Sequence, residues 1–203
     1  MTNNMLSRKN FRILFFLFNL LALPAFFFIS QKIIRIHDSK IQKKIPVYGV
    51  LRPFDLIEKN GRDFTLSNLR GRIWVANFMF TGCPNECPAM NFKMSLLQGK
   101  LPYNAGLISF SVDPEKDTPA VLQEYARRFK AADGFWRFLT GPKATVGRLL
   151  EDCHFAKADD PLLHALRLIL LDGEGRIRGY YDYSDSETVK KLTQAIKLLK
   201  EKG

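Results

Sequence analysis

The sequence predicts a mixed α/β domain that follows one membrane-spanning helix. Two observations carry this prediction: an 18-residue apolar run without a formal charge at residues 13–30, and a regular alternation of short apolar and amphipathic segments after it. About 20 apolar residues cross a bilayer as a helix, and alternating strands and helices are typical of α/β folds. We therefore expect four regions, which are an N-terminus, an anchor, a basic juxtamembrane linker and a globular domain, at residues 1–12, 13–30, 31–45 and 46–203.

We interpret residues 13–30 as an uncleaved anchor. A cleavable signal peptide has a shorter apolar region followed by small residues, and the letters FFFISQK that end this run lack that pattern. Three basic residues precede the run and five follow it within the linker. That count favours a cytoplasmic domain, but large domains translocate largely regardless of charge. We expect residues 1–12 in the cytoplasm and the domain on the other side of the membrane.

The charge of the chain is uneven along its length. The net charge is +11, but residues 1–45 hold 8 Lys and Arg against one Asp, and residues 46–203 hold 23 basic against 19 acidic residues, a net charge of +4. A basic stretch beside an apolar span interacts with anionic lipid headgroups. The excess is therefore a juxtamembrane feature, and we expect no nucleic-acid partner.

The domain begins with a predicted β-hairpin and a buried strand. PFDLIEKNGRDFTL, residues 53–66, has two apolar runs around the turn-forming pair Asn60-Gly61. RIWVANFMF, residues 72–80, is aromatic and β-branched with little charge, which predicts a central strand covered on both faces.

Two cysteines follow this strand in TGCPNECPAM, residues 81–90. Helical spacing of apolar residues then predicts a helix from Ala89 to Gln98, with Gly99 as its stop. The remaining predicted elements are a buried strand, a helix capped by Thr118, a short strand, a second helix, a second hairpin and a closing helix, at residues 106–112, 118–130, 135–139, 143–152, 166–183 and 186–200.

A cysteine loop between the first long buried strand and its helix is the topological feature of thioredoxin-like folds. The order of the elements also predicts a sheet with a parallel centre and an antiparallel edge. The expected architecture is therefore α/β, a thioredoxin-like fold with an N-terminal β-hairpin, preceded by a single transmembrane helix.

The chemistry of the loop rests on Cys83 and Cys87, each followed by a proline. At a strand-to-helix junction, backbone N–H groups and the helix dipole lower the pKa of at least one thiol. Thioredoxin-like redox enzymes use C-x-x-C, whereas helical residues four apart can direct both sulfurs onto one ion. Two thiolates form a soft site that prefers Cu(I) or Zn(II). The pattern leaves a redox couple and a metal site open.

A metal site would need a third ligand, and the chain has three histidines, His37, His154 and His164. His37 lies in the linker. His164 lies just before the apolar segment LRLILL, residues 166–171, which in a thioredoxin-like sheet places it at the edge where the cysteine loop lies. His154 follows Cys153 near the end of a helix and is expected at the far end of the domain. Cys153 itself is expected to be a buried, unpaired thiol.

Four blocks of the domain carry a family resemblance: NFMFTGCPNECPAM, SVDPEKDTPAVLQEYARRF, FLTG and LLHALRLILLDGEGRIRGYYD. Over about residues 48–200 the chain resembles the SCO/SenC family, thioredoxin-like copper proteins that assist assembly of cytochrome c oxidase. The resemblance implies that Cys83 and Cys87 are copper thiolates, that His164 is the histidine ligand, and that Asp113 lies near the site. It also implies a single-pass protein of the inner membrane, with its domain in the periplasm or the mitochondrial intermembrane space.

The sequence departs from the family pattern around the histidine. Family members usually have Asp before it and Ser or Thr after it, whereas this chain has Leu163 and Ala165. Groups that hydrogen-bond a metal ligand tune its orientation and affinity. The departure removes side chains that could orient His164 by hydrogen bonds, so we expect either an altered copper affinity or a divergent paralogue of the family.

The resemblance implies a metallochaperone, which is not an enzyme, that delivers copper to the binuclear copper site of cytochrome c oxidase. Its partners would be the oxidase subunit that carries this site and a protein that donates copper or reductant. The alternative is a thiol–disulfide oxidoreductase that keeps the target's cysteines reduced, in which the Cys83 thiolate attacks and Cys87 resolves. Leu163 and His164 occupy the place where thioredoxin-like reductases carry a cis-proline, which favours metal binding.

Overall fold

The structure is a computed structural model that describes residues 45–154 and 166–201. The strands are β1 to β8, at Gly49–Val50, Asp55–Glu58, Asp63–Thr65, Ile73–Met79, Ala105–Ser111, Trp136–Thr140, Arg167–Leu171 and Arg176–Asp182. The helices are α1 to α4, at Glu86–Gln98, Pro119–Arg128, Lys143–Asp152 and Thr188–Lys200, and a short 3-10 helix spans Leu66–Leu69.

The predicted anchor, the predicted linker up to residue 44, and His164 lie outside the described residues. Within residues 45–154 and 166–201, no helix is both long enough and apolar enough to cross a membrane. The anchor at residues 13–30 and its orientation stay predictions.

The described strands form one sheet in the order β1-β8-β7-β4-β5-β6-β2-β3. Strands β4, β5 and β6 are parallel, and antiparallel strands extend the sheet on both sides. All seven residues of β4 are buried. The predicted parallel centre, the central position of β4 and the hairpin of β2 and β3 are confirmed.

The sheet is covered on both faces because its central strands alternate two sets of buried side chains. On one face, Val75 and Met79 of β4 join a core formed with α1, α2 and α4. On the other face, Trp74, Ala76 and Phe78 pack with α3 and with aromatic side chains of the first hairpin. Helix α1, which follows the cysteine loop, is therefore packed directly onto the central strand.

Strand β1 was not predicted from the sequence. It has two residues. The residue on each side of it makes a backbone hydrogen bond: the N–H of Tyr48 donates to the carbonyl of Ile177, and the N–H of Leu51 donates to the carbonyl of Gly175. The guanidinium of Arg178 also donates to the carbonyls of Ile45 and Pro46. These long-range bonds hold the beginning of the domain against β8.

The register of β7 decides which end of it lies near the cysteine loop. This strand is antiparallel to β4, with Ala76 opposite Ile169 and Trp74 opposite Leu171. The first residue of β7, Arg167, therefore lies at the end of the sheet where β4 ends and the cysteine loop begins.

Candidate metal centre

The two thiols lie where the chain passes from β4 into α1. Cys83 is in the loop, and its N–H donates to the carbonyl of Phe80 at 3.2 Å. Cys87 is the second residue of α1, because the helix begins at Glu86 and not at Ala89 as predicted. The backbone N–H of Cys87 donates to the sulfur of Cys83 at 3.3 Å. The turn thus brings the sulfur of Cys83 onto the amino end of the helix.

The two thiols are unlike in exposure. Cys87 is 4% exposed, whereas Cys83 is half-buried at the surface of the loop. Both thiols are free. The pair therefore offers one sulfur to an incoming ion and holds the other inside the domain.

The electrostatic environment separates the two pKa values. Burial by itself would raise the pKa of Cys83, but hydrogen bonds from Cys87 and from the backbone N–H groups of Asn85 and Glu86 outweigh it and lower that pKa. Burial, followed by the hydrogen bond to Cys83, raises the pKa of Cys87 to about 12. The predicted lowering at the strand-to-helix junction is found at Cys83, so this sulfur is the one more readily available as a thiolate.

A buried carboxylate accepts hydrogen bonds from the cysteine loop. Asp117 is 0% exposed and accepts hydrogen bonds from the N–H of Thr81 at 3.1 Å and from the hydroxyls of Thr81 and Ser111. Its charge also contributes to the raised pKa of Cys87. The role of Asp117 was not predicted from the sequence. Its position directly before the helix-capping Thr118 is that of an ordinary turn residue, and the structure closes this turn with a bond from the N–H of Asp117 to the carbonyl of Asp113.

Asp113, the acidic residue that the resemblance places near the site, makes other contacts. Its N–H donates to the hydroxyl of Ser111, and its carboxylate lies 3.6 Å from the amino group of Lys116. Within the described residues, the carboxylate that holds the cysteine loop is that of Asp117.

A second contact that the sequence did not indicate lies beside the thiols. The hydroxyl of Tyr183, which follows β8, donates to the carboxylate of Glu86, the residue before Cys87. This bond, followed by burial, raises the pKa of Tyr183 to about 12, and the charge of Cys83 adds to the effect. The carboxyl end of β8 is thereby tied to the first residue of α1.

His154 and Cys153 lie at the other end of the sheet, as predicted. The Nε2 atom of His154 is 3.3 Å from the carbonyl oxygen of Tyr48. Tyr48 directly precedes Gly49, which pairs with Ile177 of β8. Ile177 lies opposite Leu171, the last residue of β7. Cys153 is 2% exposed and free, and burial raises its pKa.

The donor set of the loop suits a soft ion. Two sulfurs four residues apart, one of them accessible, fit the preference of Cu(I) and Zn(II) for thiolates. Among residues 45–154 and 166–201, no three His, Cys, Asp or Glu side chains are grouped so that they could hold a metal. His164, the third ligand that the resemblance implies, lies outside the described residues.

Sequence comparisons place the chain among known proteins. The family described as SCO1/SenC matches residues 43–200. The SCO1 protein homolog of Bacillus subtilis is 39% identical over 103 residues, which are 49% of this chain and 53% of that protein. Protein SCO2 of Saccharomyces cerevisiae mitochondria is 29% identical over 164 residues, which are 70% of this chain and 52% of the yeast protein. The chain thus spans about half the length of these relatives.

Solved structures agree with this assignment. BsSco, a member of the Sco family of cytochrome c oxidase assembly proteins in which a disulfide switch was identified, matches with a TM-score of 0.68 and 26% identity, over 78% of this chain and 98% of its own. Yeast Sco1 with copper bound matches with a TM-score of 0.61 and 28% identity, over 75% of this chain and 94% of its own. Together with the family match, these findings confirm the predicted thioredoxin-like fold, and the chain belongs to the SCO1/SenC family.

Proposed function

We propose that this protein binds copper through Cys83, Cys87 and His164 and delivers it to the binuclear copper site of cytochrome c oxidase during assembly. The observation that carries the proposal is the sulfur pair at the start of α1, with a bond of 3.3 Å from the N–H of Cys87 to the sulfur of Cys83. The copper-bound structure of yeast Sco1, a relative with the same fold, supports copper as the cargo.

The geometry of the pair suits an ion that is taken up and passed on. The accessible sulfur of Cys83 can meet a donor or a recipient at the surface, and the buried sulfur of Cys87 retains the ion from the inner side. Thiolates suit Cu(I), and ligand exchange with a partner would suffice to transfer the ion. A site with one open side permits that exchange, which a closed structural site does not.

His164 is the proposed third ligand on topological grounds. It precedes Arg167, the first residue of β7, by three positions in the sequence. The register of β7 against β4 brings that end of the strand to the end of the sheet where the cysteine loop lies. His154 is at the opposite end and is the matched histidine that should have no role in binding.

We expect His164→Ala to weaken Cu(I) binding by at least about tenfold, because even groups that only orient a metal ligand contribute about 10–100-fold to affinity. The measurement is a competition titration of the reduced, full-length protein in detergent against a Cu(I) chelator. His154→Ala is the control and should bind like the wild type. Wild-type affinity in His164→Ala would remove this histidine from the site.

Delivery is tested in cells that lack this protein. The oxidase they assemble is expected to be depleted of copper at its binuclear site, and the wild-type protein should restore the copper content. Cys83→Ala should fail to restore it, and Cys153→Ala, which removes a buried thiol far from the loop, should succeed. Full restoration by Cys83→Ala would contradict delivery through this site.

The same cells separate copper delivery from a purely reductive role. His164→Ala keeps both thiols, so a thiol–disulfide reductase would still function in this variant. A copper carrier that needs the imidazole would not. Oxidase copper content restored by His164→Ala, but not by Cys83→Ala, would favour the reductase.

We also propose that residues 13–30 anchor the protein in the inner membrane with its domain in the periplasm or the mitochondrial intermembrane space. The support is the uncharged 18-residue run in the sequence. Protease treatment of intact spheroplasts or mitoplasts should cleave the domain, and protection of the domain would reverse the orientation.

A further inference from the structure

A chain of buried hydrogen bonds links helix α1 to the sheet one turn after Cys87. Asn91 accepts a bond of 2.8 Å from the side-chain amide of Asn77 in β4 and donates one of 3.2 Å to the hydroxyl of Tyr125 in α2. The side-chain oxygen of Asn77 accepts from Ser109 of β5 at 2.7 Å, and Ser109 accepts from Trp136 of β6 at 2.9 Å. The chain crosses three parallel strands and ties two helices to them.

These groups are fully inside the protein. Asn77, Asn91, Ser109 and Trp136 are each 0% exposed, and Tyr125 is 4% exposed. A buried amide that loses its partner is costly, and each contact here requires a particular direction of donor and acceptor. The network therefore favours a single orientation of α1 more strongly than apolar contacts alone would.

The rest of the buried face of α1 specifies its orientation poorly. Besides Cys87 and Asn91, that face consists of Met90, Met94 and Leu97. Methionine side chains are flexible and adapt to shifts of a helix, so they fill space without defining a single packing. Asn91 is the one polar residue of the buried face, and it lies four positions after Cys87 on the same side of the helix.

We propose that Asn91 is a positioning residue for the thiol site, and that through Asn77 and Tyr125 it fixes the first turns of α1 so that the sulfur of Cys87 stays buried and directed at Cys83. This inference deepens the proposed function and depends on it only for the copper measurement. Burial raises the pKa of Tyr125 to about 12, and the charges of Cys87 and Cys83 add to the rise, which agrees with a hydroxyl close to the pair.

The first test uses the thiols alone. Alkylation of the reduced full-length protein, followed by peptide mapping, gives the separate rates of Cys83 and Cys87. In the wild type, Cys87 should react more slowly because it is 4% exposed. Asn91→Ala should raise the ratio of the alkylation rate of Cys87 to that of Cys83 by about tenfold or more. A factor of this size corresponds to the loss of about one hydrogen bond of a buried group.

A milder variant and two controls keep this test interpretable. Tyr125→Phe removes one hydroxyl without a change of ring, so it should fold and shift the ratio of rates in the same direction by a smaller factor. Leu97→Val destabilises the last turn of α1 without touching the network, and Tyr181→Phe removes a hydroxyl from the same core. Both controls should leave the ratio unchanged. An unchanged ratio in Tyr125→Phe and Asn91→Ala, or an equal rise in Leu97→Val, would overturn the inference.

The second test uses Cu(I) alone as the probe. Asn91→Ala should weaken binding by about tenfold, the lower end of the range found for groups that support a metal ligand. Tyr125→Phe should weaken it by a smaller factor of about threefold, because it removes only one hydroxyl of the network. Leu97→Val should bind like the wild type. If the wild type itself binds no Cu(I), the proposed function fails, but the alkylation rates still decide the role of Asn91. Weaker binding by all three variants equally would show an effect of stability and contradict positioning.

Discussion

Replacement of Cys87 by alanine is expected to weaken Cu(I) binding by more than about a hundredfold, because groups that merely support a ligand already contribute about 10–100-fold. Cys87 is the inner of the two proposed sulfur ligands and is held in the first turn of α1. Without it, one sulfur and one imidazole remain, so the site loses one of its two soft thiolate donors, the ligand type that Cu(I) prefers. The affinity is measured by chelator competition on the reduced, full-length protein.

The matched control is Cys153→Ala. Cys153 is as deeply buried as Cys87, with 2% and 4% of their surfaces exposed, so both changes remove one sulfur from an apolar site. Each should destabilise the fold by about 1–2 kcal/mol, as the loss of a small buried group does. Only Cys87→Ala should lose copper. Equal affinities in the two variants would show that the ion is bound elsewhere.

Replacement of Asp117 by alanine is expected to lower the free energy of unfolding by about 3 kcal/mol, because it leaves three buried or half-buried donors without their acceptor. These donors are the N–H and hydroxyl of Thr81 and the hydroxyl of Ser111. The change acts on the loop that carries Cys83, so the variant should also bind Cu(I) more weakly. Urea unfolding followed by tryptophan fluorescence measures the stability.

Asp113→Ala is the control for this prediction. It removes a carboxylate from the same turn, but one whose ion pair with the exposed Lys116 is 3.6 Å long. Exposed pairs of this kind contribute about 0–1 kcal/mol, so the unfolding free energy should hardly change. If Asp113→Ala and Asp117→Ala lower the free energy of unfolding equally, the buried bonds of Asp117 do not stabilise the loop.

The regular elements of the domain were accessible from the sequence because each one is encoded locally. The apolar strand β4 and the spacing of apolar residues in α1 to α4 predict their own conformations. The turn of the first hairpin at Asn60-Gly61 is encoded in the same way, and Gly61 has the positive φ of 81° that this turn needs.

The start of α1 was predicted three residues too late. Pro88 lies in the first turn of the helix, where a proline loses only an N–H that has no partner within the helix. The correction matters for the site, because it places Cys87 inside the helix and Cys83 just before it.

Features held by distant contacts were not predictable. Strand β1 has two residues and is defined by bonds to residues about 125 positions away, which no local pattern encodes. The same holds for the bond from Tyr183 to Glu86 and for the buried bonds of Asp117. In the sequence these residues look like ordinary polar positions of turns and helix ends.

The sequence by itself determined the α/β architecture, the thiol pair and the family resemblance, since periodicity and short motifs are properties of neighbouring residues. Only the tertiary structure decided which sulfur is accessible, which carboxylate holds the loop and how α1 is locked to β4 through Asn91. These depend on burial and on bonds between residues far apart in the chain. Burial and direction, more than residue type, set the different chemical roles of Cys83 and Cys87.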